Sequence, residues 1–170
     1  MQKMTSAIAN KMLRSLEDEK SYWLGKEENS KTYVAATNEE PVIPEYDYAE
    51  VSATIAALDE KIATIKHALN LTNATAKIMV GDTEMSVDTI LIRMSQLNKR
   101  RFILDMMRKE LPKTRQLTGY AGRNAAPEYK YVNYDLAQVK QDYEKISKMV
   151  MEMQLALDRY NQTVLFDVDI

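Results

Sequence analysis

Two stretches of this chain repeat apolar residues in steps of three and four, and that repeat limits the fold more than any other feature. In residues 47–73 the repeating positions are Val51, Ile55, Leu58, Ile62, Ile65 and Leu69, spaced 4-3-4-3-4. In residues 135–161 they are Leu136, Val139, Tyr143, Ile146, Val150, Met153, Leu157 and Tyr160, spaced 3-4-3-4-3-4-3. Such sustained a/d heptads belong to helices that wrap around one another along a narrow seam, not to strands, whose apolar residues alternate in twos. At about 1.5 Å per residue, each helix would be about 40 Å long.

Two further helices follow from weaker patterns. Residues 87–111 place Ile90, Met94, Leu97, Leu104 and Leu111 inward. Ser86 is a good N-cap, Asp88 suits the positive end of the helix dipole, and Pro112 is a stop. Arg101 and Arg108 fall where this heptad would continue, so its seam is imperfect. Residues 3–24 place Ile8, Leu13, Leu16 and Trp23 inward, with Gly25 as a C-cap. Between the helices, β-branched and aromatic residues predict short strands near 32–36, 77–80, 83–85, 128–132 and 164–168. The run "KIMV-GD-TEM" reads as a tight hairpin, because Gly81 in the first central position suits a type II′ turn. These strands are expected to form a small sheet at one end of the bundle. The loop at 112–129, with Gly119, Gly122 and Pro127, is the longest candidate flexible segment, and "TNEEPVIPEYD" is a second irregular one.

The bulk composition agrees. A chain of 170 residues is long enough to bury its core as a single domain. It holds only four Gly and four Pro, below the average usage of about 7% and 5%. With no cysteine there is no disulfide framework, thiol nucleophile or thiolate metal site. The first twenty residues lack the apolar core of a signal peptide, and no run reaches the about 18 apolar residues of a membrane span. A soluble, cytoplasmic protein is expected.

The net charge of −2 hides a split. Residues 17–50 carry ten acidic and three basic residues, a balance of −7, while residues 96–130 carry nine basic and three acidic ones, a balance of +6. Such asymmetry marks a nucleic-acid or acidic-partner surface, or two segments that face each other within a chain or between subunits. The basic run "NKRRF" with Arg108, Lys109 and Lys113 supplies a stripe whose candidate binding residues are Lys99, Arg100, Arg101, Arg108 and Lys109. Phosphate contacts would use such a stripe, but the pI of about 5.6 and the lack of a reader motif argue against nucleic acid.

No nucleophile elbow, P-loop, dinucleotide fingerprint, HExxH or EF-hand loop is present, so no catalytic, cofactor or metal residue is assigned and no cofactor is expected. The one histidine, His67, lies between the seam residues Ile65 and Leu69 and has no carboxylate three or four residues away. It is expected on the surface. Asn70, Thr72 and Asn73 sit where the heptad stops, as residues that compete for backbone hydrogen bonds do at helix ends. Eleven Met and ten Tyr complete the picture. Methionine at helical spacing is core filler first, but Met151 falls off its seam. Tyr129 and Tyr131 share one strand face, which suits a subunit interface or a ligand shelf.

The stretch "LNLTNATAKIMVGDTEMSVDTILIRMSQLNKRRFIL", followed by "KYVNYDLAQVKQDYEKISKMVMEMQLALDRYNQTVLFDV", resembles the septicolysin-like family of small, largely uncharacterised bacterial proteins. The matching pieces are Leu69, Thr72 and Asn73 at a helix end, then Leu157 and Asn161 in the last helix. It departs at Asp158, where the family usually has Gln, and at Gln162, where it usually has Trp. The resemblance covers about residues 47–170 and implies a mainly helical fold rather than an activity. It also implies that Asn73 and Asn161 share one polar cluster near the sheet end, and with Asn70 and Thr72 they make the candidate structural polar cluster. The family name suggests membrane lysis, but the most regular apolar stripes are flanked by mixed charge, unlike a helix that lies in a membrane interface.

The sequence therefore predicts a mainly all-α single domain, an elongated bundle of about four long coiled-coil-like helices with a small β element at one end. Its expected role is that of a non-enzymatic scaffold or interaction protein acting as a homo-oligomer. The alternatives are binding of nucleic acid or an acidic partner through residues 98–113, and then membrane activity. Other protein partners stay open, and nucleic acid and membrane are the weakest candidates.

Overall fold

A computed structural model describes residues 1–116 and 126–170. The glycines of the predicted 112–129 loop, Gly119 and Gly122, and the basic Arg123 lie outside these residues. Among the described residues the chain is mostly helical, with four helices: α1 (Ser6–Ser30), α2 (Tyr48–Thr75), α3 (Val87–Met107) and α4 (Leu136–Thr163). Six short strands accompany them: β1 (Gln2–Thr5), β2 (Lys77–Val80), β3 (Thr83–Ser86), β4 (Lys113–Arg115), β5 (Tyr129–Tyr131) and β6 (Leu165–Val168). They group into two compact units, one of Met1–Lys77 with Leu157–Ile170, the other of Ile78–Ala156.

The first unit is built on the seam of α2. Val51, Leu58, Ile62 and Ile65 are buried, as their spacing requires. Asp47 starts this helix, its carboxylate accepting from the backbone N–H of Ala49 (2.8 Å) and Glu50 (3.1 Å). Against α2 lies α1, which buries Ala9 and Leu13. The pairs Lys20–Asp59 (2.6 Å) and Lys66–Glu17 (2.7 Å) show that the two helices run antiparallel. The Lys66 ammonium, by hydrogen bond and charge, holds the Glu17 carboxyl below the usual range.

Several expectations need correction here. Residues 3–5 are strand, not helix, and Gly25 lies inside α1, which runs five residues further. Ile8 is exposed, because Ala9 takes the inward position. Residues 32–36 form no strand. Nor do the strands join into one sheet, since each pairs with one partner only: β1 with β6, β2 with β3 and β4 with β5. In the antiparallel β1–β6 ribbon Met4 lies opposite Phe166 and Gln2 opposite Val168. Met4, Phe166 and Val168 join Ala9, Leu13, Ile62 and Ile65 in one buried cluster. The ribbon thus closes the end of the α1–α2 pair with one apolar face, as period-two alternation allows.

The second unit begins with the β2–β3 hairpin. Gly81 has φ +56°, and no residue other than glycine has positive φ among the described residues. Asp82 therefore cannot adopt the second position of a type I′ turn, and the geometry fits the II′ reading. In α3, Val87, Ile90 and Leu104 are buried. The helix stops at Met107, so Leu111 is outside it and exposed, short of the stop placed at Pro112. Ser86 does not cap α3 by its side chain. Asp88 takes over instead, accepting from the Thr89 N–H at 2.7 Å and contacting the Ser86 hydroxyl. Those bonds, Ser86 first, hold its carboxyl below the ordinary value. In α4, Val139, Val150, Met153, Leu157 and Tyr160 are buried in register with the predicted seam, Met153 and those before it in this unit and the other two in the first.

Candidate interaction site

The second unit carries two apolar rows on one helix. The inward row of α3 is Ile90, Leu97 and Leu104, with Ile90 and Leu104 buried, Leu97 half-buried and Arg101 interrupting it. A second row, on the other side, holds Ile92, Phe102, Ile103 and Met106, of which Phe102 is 67% exposed and Met106 59%. A soluble helix ordinarily shows one apolar stripe and covers it, and a helix apolar on two sides is ordinarily buried on both. On α4, Met151 and Leu155 likewise stand off the seam, each 64% exposed. The alternation of apolar side chains outside the seam was legible in the sequence only at Met151.

Between α3 and α4 lies a cleft of about 500 Å³. Its floor is Met94 and Val150, its apolar rim Met151 and Leu155, and its polar wall Asn98, Arg101, Tyr143 and Ser147. A neighbouring depression, also reached by Asn98, Arg101 and Tyr143, extends to Phe102 and Asp105. The Asn98 side-chain oxygen and the Ser147 hydroxyl are buried and make no hydrogen bond among the described residues. Buried polar atoms are paired in the great majority of cases, so two orphans on facing helices of one cleft are unusual. Sequence reasoning placed Asn98 in the basic run but gave Ser147 no role, since nothing in a heptad marks which serine will face an open cleft.

The basic stripe divides. Arg108 and Lys109 both pair with Asp105, Arg108 at 2.6 Å. Their hydrogen bonds, Lys109 first, keep the Asp105 carboxyl below its usual range and raise Arg108. Arg108 also stacks on the Tyr143 ring, 4.1 Å from its centre. Lys130 pairs with Glu110 at 3.3 Å, and Lys113 lies 4.1 Å from the Tyr129 ring. Lys99, Arg100 and Arg101 make no ion pair among the described residues. Three of the five predicted cations are thus available to a partner, and two, just past the end of α3, are engaged by Asp105.

The predicted polar cluster lies within the first unit. Asn70 is exposed, and Thr72 spends its hydroxyl on the Ala68 carbonyl at 2.8 Å. Asn73 has a buried side-chain oxygen without a hydrogen bond, and Asn161 is half-buried. All of Asn70, Thr72 and Asn73 are inside α2, which runs to Thr75. No hydrogen bond joins any two of the four among the described residues. His67 is exposed and borders a shallow depression of about 470 Å³ with Leu71, Asp167 and Asp169. Among the described residues no group of three or more His, Cys, Asp or Glu side chains is placed to hold a metal, and no helix is long and apolar enough to cross a membrane.

No protein-family model matches the sequence, and no curated protein matches it significantly. Among solved structures the chain is similar to a functionally unknown conserved protein from Corynebacterium diphtheriae. The two share 17% sequence identity and a TM-score of 0.68, over 98% of this chain and 100% of that one. At that identity the likeness establishes a common fold and carries no activity with it.

Proposed function

We propose that the protein is a non-enzymatic interaction module that self-associates through the α3–α4 face of its second unit. The observation that carries this reading is the exposed second apolar row of α3, together with the exposed Met151 and Leu155 on the rim of the α3–α4 cleft. Each of these side chains, if covered by another copy, would contribute about 1.5–3 kcal/mol of transfer free energy before the cost of association. A homo-oligomer supplies such a cover at every copy, and closed symmetry limits its growth. Coiled-coil character of the seams and membership of the septicolysin-like family belong to the same proposal. The helix–hairpin–helix order on which that resemblance rests is present in α2, β2–β3 and α3.

Light scattering on the full chain tests it. A discrete oligomer is expected, and Phe102→Glu together with Met106→Glu is expected to reduce it to a monomer with unchanged helical circular dichroism. A monomeric wild-type chain at about 50 µM, above the about 1 µM dissociation constant of a modest interface, would overturn the reading. A second reading, binding of nucleic acid or an acidic partner, keeps its support from Lys99, Arg100 and Arg101, whose charges no described residue neutralises.

A further inference from the structure

The connection between α1 and α2, residues 31–47, is long, irregular and exposed. It contains Glu39, Glu40, Glu45 and Asp47 against a single Lys31. It also displays apolar side chains that nothing covers: Val34 is 99% exposed, Val42 90% and Ile43 63%. Lys31 pairs with Glu28 and Tyr46 donates to Glu27 at 3.1 Å, so the segment is anchored at both ends and open between them. Pro41 and Pro44 restrict the residues before them to extended conformations, so "EPVIPE" is held close to the shape of a bound peptide at little entropic cost. Structureless connections of this length are uncommon in compact proteins and are either functional or linkers.

We infer that residues 39–45 of one copy dock into the α3–α4 cleft of a second copy, an inference that rests on the self-association proposed above. Two observations converge on this pairing. The cleft is lined by Arg101, with Lys99 and Arg100 on the same stretch of α3, all without an ion pair among the described residues, and the segment carries unpaired carboxylates of the opposite sign. The apolar rim of Met151 and Leu155 offers cover to Val42 and Ile43. Because the segment and the cleft are different surfaces, the contact is head-to-tail, and it closes into a ring or runs on as a filament.

The test is complementation between two variants of the full chain. Arg101→Glu removes the cleft's charge and leaves the segment intact. A triple variant, Glu39→Lys, Glu40→Lys and Glu45→Lys, does the reverse. Each alone is expected to self-associate at least tenfold more weakly than the wild type by light scattering, and their mixture is expected to recover the association in one-to-one pairs. A labelled synthetic peptide of residues 31–47 should bind the triple variant, whose cleft is free, and should bind at least tenfold more weakly when Arg101→Glu is added. If either variant assembles like the wild type, or the mixture stays monomeric, the inference is overturned while self-association by another contact stands. Absence of peptide binding to the triple variant overturns it as well, whatever Arg101→Glu does to folding. A wild-type chain that is itself monomeric overturns both the inference and the reading beneath it.

Discussion

At the scale of single residues, the buried positions divide into those that the heptad specifies and those that it cannot. Ile65 and Val51 are wholly buried because a seam in steps of three and four presents them to one side. Tyr160 is buried by the same rule, but its hydroxyl makes no hydrogen bond among the described residues, and burial pushes its ionisation above the ordinary value. A phenol without a partner bears a desolvation cost of about 1–3 kcal/mol that the ring alone would not. Tyr160→Phe keeps the ring and removes that cost, so the melting temperature is expected to stay level or to rise by a few degrees. A clear fall in a thermal melt would mean that the hydroxyl has a partner and that the ring is not its only contribution. Seam membership was legible at Tyr160, because periodicity reports direction. The orphan hydroxyls and amides at Tyr160, Asn73, Asn98 and Ser147 were not, because satisfaction depends on what the facing element brings within 3 Å or so.

Among the elements, glycine separates what local chemistry determines from what packing decides. Gly81 sits at φ +56° in the β2–β3 turn, a conformation that only glycine adopts without cost. Gly25 was expected to end the first helix, but the helix continues for five residues beyond it, with an ordinary helical backbone. A Cβ added at either position meets nothing within 4 Å. The two alanine substitutions therefore differ by backbone alone, and they should have opposite signs. Gly81→Ala is expected to destabilise the protein by about 1–2 kcal/mol, the left-handed penalty of a residue with a Cβ. Gly25→Ala is expected to stabilise it by about 0.5–1 kcal/mol, the difference in helix propensity. Urea unfolding of both variants beside the wild type decides it; equal signs would contradict the assigned backbone at one of the two sites. The hairpin was readable in advance because a two-residue turn is a local object. The extension of α1 was not, since the Lys31 N–H closes the last turn onto the Glu27 carbonyl at 2.9 Å without any capping residue. Strand pairing was equally hidden: Met4 and Phe166 are opposite neighbours although 162 positions of sequence separate them, a distance over which no local pattern speaks.

On the scale of the whole molecule, salt separates the two readings of the α3–α4 face. A nucleic-acid complex that uses Lys99, Arg100 and Arg101 would release counterions from about three phosphates, giving a slope of about −2.7 in log affinity against log salt. One decade of salt would then weaken it about 500-fold. Self-association rests instead on apolar cover by Phe102, Met106, Met151 and Leu155, which added salt does not screen. The ion pairs proposed between the 39–45 segment and the cleft would be rim contacts, each contributing about 0.2–1 kcal/mol, and shortening the Debye length from about 10 to 3 Å removes most of that. The expected loss in self-affinity between 0.1 and 1 M salt is therefore about tenfold, with a slower association rate as its main kinetic sign. Analytical ultracentrifugation of the wild type at both salt concentrations measures this directly. A loss of several hundredfold would show that charge and not apolar surface holds the copies together, and the basic run at 99–101 would then be the primary contact rather than the rim of one.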